Sequence, residues 1–351
     1  MILMAITNAV LILTMDSGTL DKQIESAYFN ASTGYFREEI AKPEKAFNWT
    51  LGIVLSAQNS LAKLDHSRVK MLKETLEKAD TYWNSKGPWG GFDVLPGPPY
   101  PNDRYYDDND WMVMSLVESY EVTKDHRWLS RAEDALNFSL SGESDKLGGG
   151  IYWREQDKAS KNTCSNAPAA AACMAVYHHT KRKELLARAE ILYAWTKKNL
   201  QDSNDGIYFD SIHLDGKLSR AKWTYNSALM LRSSRDLYEA TKLPEYKQDF
   251  DKLHEACLKR WVKDDGTIDD ELPFAHLLFE NLDPSKFNAT KCIAKLKSLA
   301  ASNGFFPKKW NSSETKISPK LMIQASALRA MATYELWVKE GRIIRTTNSQ
   351  S

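Results

Sequence analysis

The chain has 351 residues, of which 42% are hydrophobic and 26% are charged, and its formal net charge at pH 7 is +1. These proportions are typical of a globular protein, and helical toroids and α/β barrels reach this length as single domains. Basic and acidic residues are interspersed, with neither a basic stripe nor an acidic tail, so the sequence predicts no nucleic-acid partner.

Residues 1–15 are almost wholly apolar but are too few to span a membrane. They resemble the apolar part of a signal peptide, without a basic start or a clear cleavage site. Residues 1–18 are therefore either a partial signal segment or a buried first helix. We favour export, and predict a secreted or periplasmic protein. The tail at 341–351 is polar, which predicts no lipid anchor and no stable membrane insertion.

Apolar residues recur every three or four positions along most of the chain, which predicts about twelve helices and almost no strands. The predicted helices are 19–29, 47–64, 66–85, 107–124, 127–140, 165–180, 183–200, 223–241, 245–262, 273–282, 287–300 and 317–340.

A similar turn recurs between alternate helices, with glycine followed by aromatic or β-branched residues. The glycines are Gly34, Gly91, Gly150, Gly206, Gly266 and Gly304, so the intervals are 57, 59, 56, 60 and 38 residues. A period of two helices and a loop indicates a repeated unit. We predict an all-α (α/α)6 toroid of six helical hairpins, a single catalytic domain over 19–340. The alternative is that glycine turns are common punctuation and recur by chance.

If the toroid is correct, the glycine turns all lie at one end of the ring. The long loops 86–106, 147–162 and 205–222 then form walls around a central cleft. The first of these loops is rich in glycine and proline, which excludes helix and favours a rigid rim.

That loop leads into a predicted helix that starts with two adjacent acids, Asp107 and Asp108. Carboxylates are favoured in a first helical turn, and side chains one position apart diverge. Two acids so close ionise unequally, and they can meet the gap of about 5–5.5 Å that a retaining glycosidase needs. The alternative is that the aspartates, with Asp110, only cap the helix.

Amide and aromatic residues also lie at the predicted starts of other inner helices: Asn48-Trp49, Lys161-Asn162, Ser165-Asn166 and Trp223-Thr224-Tyr225-Asn226. A pyranose has apolar faces and a polar edge, so such residues at a ring mouth suit sugar recognition. Each group could instead be a helix cap with a core aromatic, and only their recurrence favours a ligand cleft.

Other chemistries find no motif in this sequence. It lacks GxGxxG after a strand, GxxxxGK[ST], HExxH and GxSxG. The four cysteines have no metal-ligand spacing, so we predict neither a metal nor a cofactor. Whether the cysteines pair is left open.

The segments YYDDNDW, GGIYWREQDKASKNTCSNAPAAA and KWTYNSALMLRSSRDLYEAT together resemble glycoside hydrolase family 76, over roughly residues 20–340. That family contains endo-acting α-1,6-mannanases and fungal cell-wall transglycosylases. The resemblance implies an α/α barrel, retention of anomeric configuration, Asp107 as nucleophile and Asp108 as acid/base. It implies as substrate-binding residues Trp49, Tyr106, Asn162, Asn166, Trp223, Tyr225 and Asn226. Asp110 departs from the family pattern, where a small or neutral residue is common.

The leading hypothesis is therefore a monomeric endo-α-1,6-mannanase that cleaves α-mannan backbones by double displacement. One alternative is a transglycosylase, in which a sugar hydroxyl replaces water in the second step. Another is a carbohydrate-binding toroid without catalysis, which the intact pair of aspartates disfavours. An epimerase is weaker still, because no pair of histidines is evident on an inner helix.

Overall fold

The structure is a computed structural model that describes residues 15–97, 103–311 and 317–343. Within these residues there are twelve α-helices, and they confirm the predicted helices with shifts of a few residues at their ends. In chain order, α1 to α12 are Ser17–Tyr28, Asn48–Leu64, Val69–Ala79, Tyr106–Thr123, His126–Ser141, Thr163–Thr180, Lys183–Leu200, Thr224–Thr241, Pro244–Trp261, Leu272–Asn281, Ala289–Ser298 and Leu321–Lys339. The apolar segment 1–14 and the tail from 344 lie outside the described residues.

The even-numbered helices form an inner ring. Each packs against the next, and α12 packs against α2, which closes the ring; the odd-numbered helices pack around it. The burial patterns agree with these positions. In α6 every residue from Thr163 to Val176 is buried, whereas outer α3 buries only Leu72, Thr75, Leu76 and Ala79. The predicted (α/α)6 toroid is confirmed, and a single domain over 19–340 stays a prediction.

Amide side chains fix the glycine turns to the ring. In three hairpins the fourth residue of the inner helix both accepts from the N–H and donates to the C=O of one turn residue. These pairs are Asn109 with Phe92, Asn166 with Ile151 and Gln324 with Phe306, at 2.7–3.1 Å. Because the bonding residue is in the first turn of the helix, the glycine turns lie at the N-terminal ends of the inner helices.

Three inner helices have the same two residues, a threonine and a lysine, at their C-terminal ends. Helices α4, α6 and α8 end in Thr123, Thr180 and Thr241, each followed by a lysine in left-handed conformation. Each threonine hydroxyl donates to the carbonyl four residues earlier, at 2.7–3.0 Å. Repeated starts and repeated ends therefore give these helices the same direction, with their positive dipole ends towards one mouth.

A buried charge cluster crosses the ring. The Arg329 guanidinium on α12 pairs with Glu280 on α10 at 2.7 Å and with Glu118 on α4 at 3.0 Å. It also donates to the Ser56 carbonyl on α2 at 2.7 Å. One side chain therefore joins four of the six inner helices.

Seven strands of two or three residues lie in the loops of the described part, so the prediction of almost no strands understated them. They are β1 to β7: Phe29–Asn30, Tyr35–Phe36, Trp83–Asn84, Gly91–Phe92, Ser160–Asn162, Ser211–His213 and Leu218–Ser219. All pair antiparallel. Segments this short are too brief for an alternating pattern to show in the sequence.

Two further findings concern the cysteines and the length of the apolar helices. All four cysteines are unpaired and buried. Among the described residues, no helix has both the length and the apolar character that crossing a membrane requires.

Candidate active site

A cleft of about 520 Å³ opens at the mouth where the inner helices begin. Of the predicted residues it is lined by Trp49, Asp107, Asp108, Asn162 and Tyr225. The first turns of α2, α4, α6, α8 and α10 all contribute lining side chains. The toroid thus brings together residues that are up to 227 positions apart in the chain, from Phe47 to Phe274.

The two acids lie in the first turn of α4, whose N-cap residue is Tyr105. Neither acid is therefore the N-cap, and the capping alternative does not describe this helix start. The backbone N–H of Tyr106 donates to the Trp153 carbonyl at 3.0 Å, which ties the start of α4 to the next rim loop. The position of the two acids therefore depends on a loop outside their own helix as well as on α4.

The Asp107 carboxylate has three donors. The Trp153 indole N–H reaches Oδ2 at 3.0 Å, the Asp108 backbone N–H reaches Oδ1 at 3.0 Å, and the Cys164 thiol also bonds to it. Burial raises the pKa of Asp107 to about 6, although these donors oppose the rise. At neutral pH Asp107 is therefore ionised.

Asp108 has no such support, because no described residue donates a hydrogen bond to its carboxylate. Burial raises its pKa well above the usual range, and the negative charges of Asp107 and Asp103 raise it further. The two acids titrate as a coupled pair. Because Asp107 receives hydrogen bonds and Asp108 receives none from the described residues, their pKa values are driven apart. The higher pKa of Asp108 favours this residue as the holder of the proton of the pair.

Aromatic rings form both walls of the cleft. On one side Phe274 stacks on Tyr225 and Trp49, with centroids 4.5 and 6.0 Å away. On the other, Tyr105 meets Trp153 edge to face at 5.1 Å. Rings on two sides of a charged pair offer platforms for the apolar faces of sugars.

The model of glycosyl hydrolase family 76 matches residues 22–328. The chain belongs to glycosyl hydrolase family 76. This confirms the family and the enzyme class that the sequence predicted.

Solved structures of the family have the same fold. A family 76 α-mannanase of Bacteroides thetaiotaomicron has a TM-score of 0.87 and 26% identity, covering 95% of this chain and 99% of that one. The α-1,6-mannanase of Salegentibacter sp. HEL1_6 has a TM-score of 0.79 and 23% identity, covering 91% and 98%. In sequence, mannan endo-1,6-α-mannosidase of Saccharomyces cerevisiae is 29% identical over 125 residues. That match spans 33% of this chain and 28% of the yeast protein.

Four of the predicted family 76 substrate residues are not among the side chains that line the cleft. Tyr106 is buried against Phe138, with ring centroids 5.1 Å apart. Asn166 is buried and holds Ile151, and Asn226 is completely buried as well. These three buried side chains are not among those that line the cleft, and their contact with a sugar stays a prediction. Trp223 is exposed at the rim and reaches the cleft only through Phe274, 5.7 Å away.

Sequence reasoning missed several side chains that line this family 76 cleft, among them Trp153, Cys164, Asp210 and Phe274. Burial raises the pKa of Asp210, whose carbonyl accepts from the Thr163 N–H at 2.8 Å. Trp153 and Asp210 belong to repeated turns that were used only to count hairpins. Each follows its turn glycine by three or four residues, which is the signal that could have identified them.

Among the described residues, no group of three or more histidine, cysteine or acidic side chains is placed to hold a metal ion. The polar and aromatic groups that line this cleft are carboxylates, a thiol, an amide and aromatic rings.

Asp110 is a third acid on α4, completely buried beside the pair. Burial raises its pKa well above the usual range, and the charge of Asp107 adds to the rise. A raised folded-state pKa means that Asp110 favours folding most below its unfolded pKa, and that this contribution is lost as the pH rises. A pKa raised by one pH unit corresponds to about 1.4 kcal/mol. We expect Asp110→Asn to gain at least that much stability, relative to the wild type, between pH 4 and pH 8.

Denaturant unfolding of both proteins across this pH range measures the effect. Asp265→Asn is a control of opposite sign, because the side-chain bond from Lys295 lowers the pKa of Asp265 to about 2. The contribution of Asp265 to folding stability is present above its unfolded pKa and is lost as the pH falls. A stability difference for Asp110→Asn that does not change with pH would show that the carboxyl is not buried as described.

Proposed function

We propose that this family 76 protein is a retaining endo-α-1,6-mannanase, with Asp107 as nucleophile and Asp108 as general acid/base. One observation carries the proposal: of two adjacent carboxyls in an aromatic cleft, only Asp107 receives hydrogen bonds from the residues that the structure describes. One acid is thereby kept ionised and its neighbour kept protonated. A retaining glycosidase requires this division of roles.

In the first step a carboxylate oxygen of Asp107 attacks the anomeric carbon of a mannosyl residue. Asp108 gives its proton to the glycosidic oxygen, the bond to that oxygen breaks, and a mannosyl ester of Asp107 forms. In the second step Asp108, now ionised, takes a proton from water as the water attacks the same carbon. The bond to Asp107 breaks, and the product regains the α configuration.

The fixed donors on Asp107 suit this role. One oxygen is held by the Asp108 N–H and the other by the Trp153 indole, each at 3.0 Å. The carboxylate is therefore oriented before the substrate binds, so that less ordering is needed in the transition state. The same donors stabilise the carboxylate as it is released in the second step.

The relatives support the choice of substrate. The Bacteroides structure is described as an α-mannanase and the yeast relative as a mannan endo-1,6-α-mannosidase. The Salegentibacter α-1,6-mannanase was solved with α-1,6-mannotriose as an inactive variant, in which two adjacent aspartates are replaced by asparagine. Adjacent aspartates thus accompany this activity in a protein of the same fold. Because mannans are polymers outside the cytoplasm, the proposal agrees with the predicted export.

The test is the digestion of linear α-1,6-mannan, with α-1,2- and α-1,3-linked mannobiose as controls. We expect internal cleavage to short oligosaccharides, the α anomer as the first product by NMR, and no action on the controls. The β anomer as the first product would contradict the double displacement. Longer chains formed from an excess of acceptor oligosaccharide would indicate the transglycosylase instead.

A further inference from the structure

The rim loop before Trp153 has an unusual backbone. Leu147, Gly148, Gly149 and Gly150 all have positive φ, at 60°, 72°, 124° and 81°. Glycine adopts positive φ readily, but Leu147 has a side chain, so its left-handed conformation costs energy and is kept only where the surroundings fix it. Something must therefore hold this loop in place.

The side chain that holds it is Lys161 on β5. Its ammonium donates to the carbonyls of Ser144 at 2.8 Å, Lys146 at 2.7 Å and Gly149. These three bonds use all the donors that an ammonium has. Lys161 therefore sits inside the loop as a bound cation would, but is covalently attached to the neighbouring strand.

The charged end of Lys161 lies in a buried place that is lined in part by aromatic rings. The side chain is completely buried, the rings of Tyr152 and Trp195 lie 5.0 and 5.7 Å from its nitrogen, and no described carboxylate forms an ion pair with it. Burial lowers its pKa to about 8, while the more distant charges of Glu143 and Asp145 oppose the shift. Placing a charge here therefore costs free energy of folding, which the three hydrogen bonds to carbonyls offset in part.

The loop leads directly to the nucleophile. Trp153 follows Gly150 by three residues, and its N–H donates to the Ser160 carbonyl at 3.3 Å, next to Lys161 in β5. Its indole then donates to Asp107 at 3.0 Å. Trp153 is 40% exposed and, among the described aromatic rings, meets only the edge of Tyr105, so its direction also depends on the backbone of the loop that carries it.

We infer that Lys161 is a positioning residue for the reaction, acting through Trp153: its ammonium fixes the loop that aims the indole at the Asp107 carboxylate. This inference rests on the proposed function, in which Asp107 is the nucleophile. If Lys161 only stabilised the fold, its loss would lower stability without altering the titration of Asp107.

The readout is the acidic limb of the pH profile of kcat/KM, which reports the protonation of Asp107. The other groups that face this carboxylate are Asp108 and Asp110 on α4, Tyr105 at its N-cap, Cys164 on α6, Tyr225 on α8, and Asp210. None of them changes in the variants below. Loss of one donor to a charged group should move the acidic limb up by roughly one pH unit.

The experiment is a double-mutant cycle of Lys161→Met, Trp153→Phe and both together. We expect each single variant to move the acidic limb to higher pH, and the double variant to move it no further than Trp153→Phe alone. An unshifted acidic limb in Lys161→Met, or additive shifts in the double variant, would overturn the inference.

Lys222→Met is the matched control. Lys222 is also a mostly buried lysine in a loop of the same rim, where Asp202 and Asp205 bind it at 2.6 and 2.8 Å. Its loss should lower stability and leave the acidic limb in place. Lys161→Gln, which retains two donors, replaces Lys161→Met in the cycle if the latter does not fold.

Hydrogen exchange of residues 147–153 separates the two proposals. It should accelerate in Lys161→Met and stay unchanged in Lys222→Met, whether or not mannan is the substrate. A wild type without activity on mannan would refute the proposed function alone. Unchanged exchange in Lys161→Met would refute the inference about Lys161 alone.

Discussion

Replacing Asp108 with asparagine should lower kcat/KM on α-1,6-mannan by about 10²- to 10⁴-fold, the contribution typical of a positioned acid or base. Asparagine has the shape of the carboxyl but no proton to give to the leaving sugar. The loss should depend on the leaving group. An aryl α-1,6-mannobioside that releases 2,4-dinitrophenolate needs no protonation, so its first step should stay close to the wild-type rate.

The second step gives an independent check on Asp108. The variant has no base to activate water, so the mannosyl enzyme should accumulate and the aryl substrate should show a burst. Azide needs no base, and should restore turnover and give α-mannosyl azide. Asp103→Asn is the control, because Asp103 adds charge near the pair without belonging to it. Equal losses of Asp108→Asn on mannan and on the aryl substrate would remove Asp108 from the role of acid.

The architecture could be read from the sequence because it is repeated. Six turns, each led by a glycine and all but the last at near-constant intervals, predicted a ring of hairpins, and five of those six glycines do have positive φ. The sixth, Gly91, instead lies close to the Phe138 ring, which leaves no room for a side chain. The same residue type was needed for two different physical reasons, and the sequence pattern does not distinguish them.

The residues at the helix starts were harder to assign, because the first turn of an inner helix does two tasks. Asp107 and Asp108 point into the cleft, whereas Asn109 one position later holds the Phe92 turn. Asn162 and Asn166 divide in the same way: the first lines the cleft and the second holds Ile151. An amide suits both tasks. Only the rotation of each helix about its axis separates them, and that depends on packing around the ring.

Trp153 and Asp210 were missed for a related reason. Each lies in a loop and reaches the cleft through pairing across chain segments, as when the Asp210 carbonyl accepts from Thr163 on α6. The partners of such contacts are 46 residues or more apart in the chain. No local pattern specifies them, so the unequal hydrogen bonding of the acid pair becomes visible only in the folded protein.

Removing the nucleophile should have the largest effect of all. Asp107→Ala is expected to lower kcat/KM by roughly 10⁴-fold or more, as removal of nucleophiles does in other hydrolases. Unlike the Asp108 variant, it should lose activity on the dinitrophenyl substrate to the same extent, because no leaving group compensates for a missing nucleophile.

The alanine leaves space for a small anion, and the Trp153 indole and the Asp108 N–H still point into that space. Azide bound there attacks from the side that Asp107 occupied, so the variant should form β-mannosyl azide, with Asp108 still supplying the proton. The anomer therefore separates the roles: β azide from Asp107→Ala and α azide from Asp108→Asn, each determined by NMR. If the two anomers were exchanged, the hydrogen bonds on Asp107 would mark the acid/base and Asp108 would be the nucleophile.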